Sequence, residues 1–178
     1  MGTKKRKKTS SSTAKVSPQR TLTAAVVTVS DSCARGERQD ASGPAVAELL
    51  SASGFLISAR EIVPDDSTQI QTVLINLAKQ ARLIVTTGGT GIAERDITPE
   101  ATETICDRLV PGIAEKMRGE GSKKTPFAAL SRGICGVFAN SLILNLPGSP
   151  RGAVESLRAV LEILPHALSL LEGKTEHS

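Results

Sequence analysis

The run Leu83 to Thr102, LIVTTGGTGIAERDITPEAT, limits the fold more than any other stretch of the chain. Its apolar start, Leu83, Ile84 and Val85, has no polar face to give to solvent, so it belongs in a strand covered on both sides, as in a parallel sheet. Gly88, Gly89 and Gly91 follow at once and let the backbone turn sharply and come close to a ligand. Thr98 is placed to cap the next helix, with Pro99 at its first position. Backbone N–H groups at such a helix start, aided by the helix dipole, attract phosphate or carboxylate. Asp96 stands just ahead, where a carboxylate can bind Mg²⁺ or hydrogen-bond a polar ligand.

A glycine-rich strand-to-helix turn can be no more than a tight connection, and spacing tests the alternatives. A P-loop needs a Lys-Ser or Lys-Thr at a fixed distance from its glycines, and none follows here. A short-chain-dehydrogenase-like nicotinamide site would want a glycine where Glu94 stands. It would also want a Tyr-x-x-x-Lys, and the chain has no tyrosine.

At 178 residues the chain suits a single domain with one sizeable core. Its only aromatic residues are Phe55, Phe127 and Phe138, so Ala, Val, Leu and Ile must fill that core. The net charge of +4 misleads. Residues 1–21 hold seven of the 22 basic residues and none of the 18 acidic ones, which leaves 15 basic against 18 acidic in the rest. A basic nucleic-acid-binding surface on the folded part is therefore not implied, and contact with nucleic acid or another polyanion falls to the tail. Residues 1–21 are expected to be a disordered basic tail carrying a nuclear-import-like KKRKK, residues 22–173 the folded domain, and residues 174–178 a short C-terminal tail. No segment approaches 18 apolar residues, so no transmembrane span is expected. Cys33, Cys106 and Cys135 lack CxxC spacing, which points to a reduced, cytoplasmic protein rather than a zinc or disulfide scaffold. With only His166 and His177, a histidine-based triad or zinc site is not expected.

Along the chain, Ala24–Ser30 reads as a first buried strand and 31–42 as a polar loop. A helix opens at Gly43 and Pro44 and runs to about Ala52. Phe55–Val63 reads as a second strand. Asp65, Asp66 and Ser67 start a helix in which Ile70, Val73, Leu74 and Leu77 recur at helical spacing. After the Leu83 strand and the Thr98 helix, Pro111 begins another helix to about Arg118, before a polar GEGSKK segment. A strand near Ile134–Phe138 turns at Ala139 and Asn140 into a strand at Leu142–Leu146. NLPGSP then repeats the earlier design, with Ser149 as cap, Pro150 at the first helical position, and a long apolar helix to about Leu171 disturbed near Pro165. This rhythm predicts a three-layer α/β/α sandwich, a mostly parallel sheet with helices on both faces and a small β-hairpin subregion. Ligands bind beyond the carboxyl ends of strands in such sheets. Asp31, Ser32, Asp65, Asp66, Asp96 and Ser149 all fall there. Carboxylates facing a phosphate-binding loop, without a histidine or an activated cysteine, fit phosphoryl or nucleotidyl transfer, which relies on positioning and charge neutralisation.

TTGGTGIAERDITPEAT, VPDDS, TPFAALSR and LILNLPGSP, in this order, closely resemble the MogA/MoaB family of molybdenum-cofactor biosynthesis proteins, including gephyrin-type G domains, over about residues 23–173. The resemblance implies Mg-ATP-dependent adenylylation of molybdopterin with release of pyrophosphate, in a homotrimer or hexamer that serves a downstream molybdate-insertion protein. It gives Asp65 the handling of Mg-ATP, with Mg²⁺ held directly or through water, Asp96 the orientation of molybdopterin, and Ser131 a part in activity. Gly88, Gly89, Thr90 and Gly91 would cradle nucleotide or pterin phosphate, with Pro147, Gly148 and Ser149 on the opposite wall. Asp31 and Ser32, with Ser42 and Gly43, match further polar positions of the family. Ala93 and Glu94 depart from the pattern, and Glu94 adds negative charge beside an anion site. A non-catalytic molybdopterin carrier or scaffold is the alternative reading.

Overall fold

The structure is a computed structural model that describes residues 22–173. The expected N- and C-terminal tails, and His177 with them, lie outside the described residues. Six strands, β1 Leu22–Val29, β2 Phe55–Val63, β3 Leu83–Thr87, β4 Arg108–Leu109, β5 Cys135–Phe138 and β6 Ser141–Leu146, form one sheet in the order β2-β1-β3-β6-β5-β4. Pairing is parallel from β2 through β6, and β5 alone runs against the rest.

The central strands are apolar on both faces because both are covered. Ala24 and Val26 of β1 and Leu83 and Val85 of β3 enter one core, while Ala25, Val27 and Ile84 enter the other. Four helices pack on the first face: α2 Ser42–Ala52, α5 Pro111–Ser122, α6 Pro150–Val160 and α7 Leu164–Leu171. On the second, α3 Ser67–Leu77 brings Ile70, Leu74 and Leu77, and α4 Thr98–Ile105 brings Ala101. This is the expected three-layer sandwich, with β5 and β6 as the expected hairpin, turning through Ala139 at φ 51°.

Several local expectations are corrected. The segment after β1 opens with a short helix, α1 Asp31–Ala34, because the Ser30 hydroxyl accepts from the Cys33 N–H. Thr98 is not a cap: Ile97 precedes the helix, and the Thr98 hydroxyl donates instead to the Gly88 carbonyl at 2.9 Å. Helix α5 continues past Arg118 to Ser122 despite two glycines, and buries Ile113, Ala114 and Met117 in the core. The last helix is two, α6 and α7, so that Pro165 falls in the first turn of α7 where its missing N–H costs nothing. Strand β4 and a 3₁₀ turn at Pro126–Leu130 are further additions, too short to leave a periodic signal in the sequence.

Candidate active site

A cleft of about 620 Å³ opens beyond the carboxyl ends of β1, β2, β3 and β6. Its floor is the turn after β3. Gly88 has φ +99°, and a Cβ there would stand 2.2 Å from the Val29 carbonyl oxygen; Gly89 has φ +61°, with a Cβ 2.3 Å from Thr98 Oγ1. No side chain fits either place. The Gly88 N–H donates to Leu146 O, and Gly148 lies so close that its Cβ would be 3.2 Å from Gly88 Cα. The GGTG and PGSP loops thus share one surface. On the far wall, the Ser149 hydroxyl accepts from the Gly152 N–H and caps α6, as expected.

The carboxylates all fasten backbone, and Asp40, Asp65 and Asp96 also line the cleft. Asp31 and Asp65 clasp each other: the Asp31 N–H donates to Asp65 Oδ2 and the Asp65 N–H to Asp31 Oδ1, both at 3.0 Å. Asp31 is also ion-paired with Arg95 and stands 4.0 Å from Arg35. It binds β1 to β2 rather than facing the cleft. Asp40 accepts from the Thr28 hydroxyl at 2.7 Å and from the Gly43 N–H at 3.0 Å, fixing the start of α2. Asp65 lines the cleft, and burial, together with the negative charge of Asp96, raises its pKa above the ordinary aspartate value; its own backbone hydrogen bond opposes the rise. Asp96 lines the cleft too, and its Oδ2 accepts from the Ala93 N–H at 2.9 Å.

A second, smaller cleft of about 330 Å³ adjoins the first through Gly148 and Ser149. It is lined by Thr90, Gly91, Ser131 and Pro147, with Phe127 75 % and Leu130 50 % exposed at its mouth. Of the residues singled out in the sequence, Ser42, Asp65, Gly88, Gly89, Asp96, Gly148 and Ser149 line the larger cleft, and Thr90, Gly91, Ser131 and Pro147 the smaller. Asp31, Ser32 and Gly43 stand behind the walls. The Ser32 carbonyl accepts from the Glu37 and Arg38 N–H groups, and the missing side chain of Gly43 makes room for Asp40.

Sequence reasoning passes over Arg38 in the larger cleft, Phe127 in the smaller, and Arg132, which holds the glycine turn. Arg132 donates to the carbonyls of Gly91 and Asp96, pinning the glycine turn from 41 and 36 residues away, and pairs with Glu100 of α4. Asp40, three residues ahead of the amide it accepts, carries a readable signal, that of an Asx cap.

No group of three or more His, Cys, Asp and Glu side chains able to hold a metal occurs among the described residues. A cation here would need ligands from substrate. Burial pushes the Cys106 thiol up to about 11 and the Cys135 thiol to about 12, so neither is an activated nucleophile. No described helix is long and apolar enough to cross a membrane.

Comparison with known proteins agrees with this geometry. The family described as a probable molybdopterin binding domain matches residues 25–166. The molybdopterin adenylyltransferase of Helicobacter pylori (strain ATCC 700392 / 26695) is 42 % identical over 159 residues, covering 86 % of this chain and 89 % of that protein. The Drosophila melanogaster molybdenum cofactor synthesis protein cinnamon is 41 % identical over 155 residues, 84 % of this chain; the match spans only 26 % of the fly protein. The solved structure of the molybdopterin biosynthesis enzyme MoaB from Thermus thermophilus superposes with a TM-score of 0.81 at 55 % identity, covering 86 % of this chain and 98 % of that one.

Proposed function

This chain belongs to the family of probable molybdopterin-binding domains, and we propose that it is a molybdopterin adenylyltransferase acting in molybdenum cofactor biosynthesis. The observation that carries the reading is the pair of carboxylates, Asp65 after β2 and Asp96 after the glycine turn, lining one cleft whose wall includes the N-terminus of α6. A phosphate-bearing substrate and a nucleotide both find N–H donors there.

In the proposed reaction a terminal phosphate oxygen of molybdopterin attacks the α-phosphorus of ATP. The new P–O bond gives adenylyl-molybdopterin, and the bond to the β-phosphate breaks to release pyrophosphate. The attacking phosphate is already ionised at neutral pH, so no general base is needed. The chain's part is positioning. Asp96 orients the pterin, Ser131 reaches the reacting phosphates from the smaller cleft, and the Gly88–Gly91 turn and Ser149 hold the phosphates between them. The oxygen donors of the larger cleft fit Mg²⁺, which binds through one or two carboxylates plus substrate phosphates. Asp65 would hold it, directly or through water, and when bound it neutralises charge on the triphosphate.

The same proposal includes a cytoplasmic location, a homotrimeric or hexameric assembly to be read from solution mass, and hand-over to a molybdate-inserting protein. The test is incubation with molybdopterin, ATP and Mg²⁺, with detection of adenylylated pterin and pyrophosphate. Asp65→Asn should suppress turnover by about 100-fold or more while pterin binding persists. Asp96→Asn should weaken the pterin complex. Tight pterin binding by the wild type with neither product would replace the enzyme by a carrier.

A further inference from the structure

The larger cleft presents a charge problem. Its described lining carries three carboxylates, Asp40, Asp65 and Asp96, and a single cation, Arg38. A nucleotide triphosphate entering it meets like charge, and backbone N–H groups alone offer partial charges against it.

The other arginines around the strand ends are engaged. Arg35 forms a two-pronged pair with Glu37, through Nε at 2.7 Å and a terminal nitrogen at 2.9 Å. Arg95 is paired with Asp31, and Arg132 with Glu100 and two carbonyls. Arg38 has no carboxylate partner among the described residues. Its backbone N–H donates to Ser32 O at 3.1 Å, which anchors the residue, and one terminal nitrogen donates to the Ser30 hydroxyl at 3.2 Å, which holds the side chain over the end of β1. The rest of its donor fork meets no other acceptor among the described residues, on an exposed side chain at the cleft wall. A planar guanidinium with free parallel donors matches phosphate oxygens two at a time.

We propose that Arg38 is a substrate-contacting residue that binds the phosphates of the nucleotide in the larger cleft. The inference rests on the adenylyl-transfer reading. It also has a consequence of its own: nucleotide affinity and pterin affinity separate at this residue.

The experiment is steady-state kinetics on wild type, Arg38→Gln and Arg38→Lys, with Mg-ATP and molybdopterin varied in turn. Arg38→Gln should raise KM for ATP about tenfold or more and leave KM for molybdopterin unchanged; Arg38→Lys should fall between, because it keeps the charge and loses the fork. The salt dependence of KM for ATP should be weaker in Arg38→Gln than in wild type. An unchanged KM for ATP, or a rise confined to molybdopterin, overturns the proposal. If the wild type makes no adenylylated pterin, the functional reading fails, and Arg38 is then decided by calorimetric titration with Mg-ATP alone. Equal affinity in wild type and Arg38→Gln overturns it there, and a loss of about tenfold supports it. Should Arg38→Gln melt below the assay temperature, the wild type and Arg38→Lys are compared in its place. Equal KM for ATP in that pair overturns the assignment.

Discussion

Asp65 shows how one side chain is set between stability and use. Its carboxylate sits partly buried, facing the negative charge of Asp96, and both raise its pKa above the ordinary value near 3.8. The folded state therefore holds the Asp65 proton more tightly than the unfolded chain does. The stability this confers is fully present below the unfolded pKa and is lost as pH rises through the folded one. At neutral pH the ionised group is a burden that the cleft carries for its function. Asp65→Asn keeps an oxygen able to accept from the Asp31 N–H and removes the charge. Its melting temperature at neutral pH should equal or exceed that of the wild type, by about 1–3 °C, with the difference shrinking as pH falls through the raised folded-state pKa and the wild type takes up its proton. Thermal melts of both chains at neutral and at mildly acid pH check this; a variant that melts below the wild type at neutral pH would show that the carboxylate serves the fold instead.

At the level of elements, the glycine turn between β3 and α4 is held from outside itself. Thr98 donates to Gly88 O from below, the Thr98 N–H donates to Gly89 O, and Arg132 grips the carbonyls of Gly91 and Asp96 from the 3₁₀ side. Replacing Arg132 by Ala should speed amide hydrogen exchange across residues 89–97 about tenfold or more while leaving the central strands protected, and Lys should restore little of it, since three acceptors need the fork. Uniform loss of protection would mean that Arg132 supports the whole fold. The same contrast separates what is legible in the sequence from what is not. LIVTTGGTG and LILNLPGSP can be read as strand, turn and helix because each signal is local: an apolar run, a glycine, a capping serine and a proline. The grip of Arg132 depends on carbonyls 36 and 41 residues away. No window of neighbouring residues contains them. Asp31 is misplaced by sequence reasoning for a related reason. Position at a strand end brings it near the site, but the mutual clasp with Asp65 turns its carboxylate to structural use.

In the whole molecule, parallel pairing from β2 through β6 sends four strands out through one edge of the sheet, so residues as distant as Ser30 and Pro150 meet in one cleft. Every residue assigned a part in that cleft lies after the start of β1 at Leu22. Charge is distributed the other way: the seven basic residues of 1–21 outweigh a remainder with 15 basic against 18 acidic residues. Chemistry and polyanion attraction should therefore separate by truncation. Deleting residues 1–20 should leave melting temperature and adenylylation within error of the full chain, because no described strand, helix or cleft residue is removed. It should abolish retention on a heparin column at low salt, where unscreened clustered charge is strongest. If the truncated chain still bound heparin with the same salt dependence, the attraction would have to come from the folded part, and arginines exposed around the cleft, Arg38 first, would be the place to look.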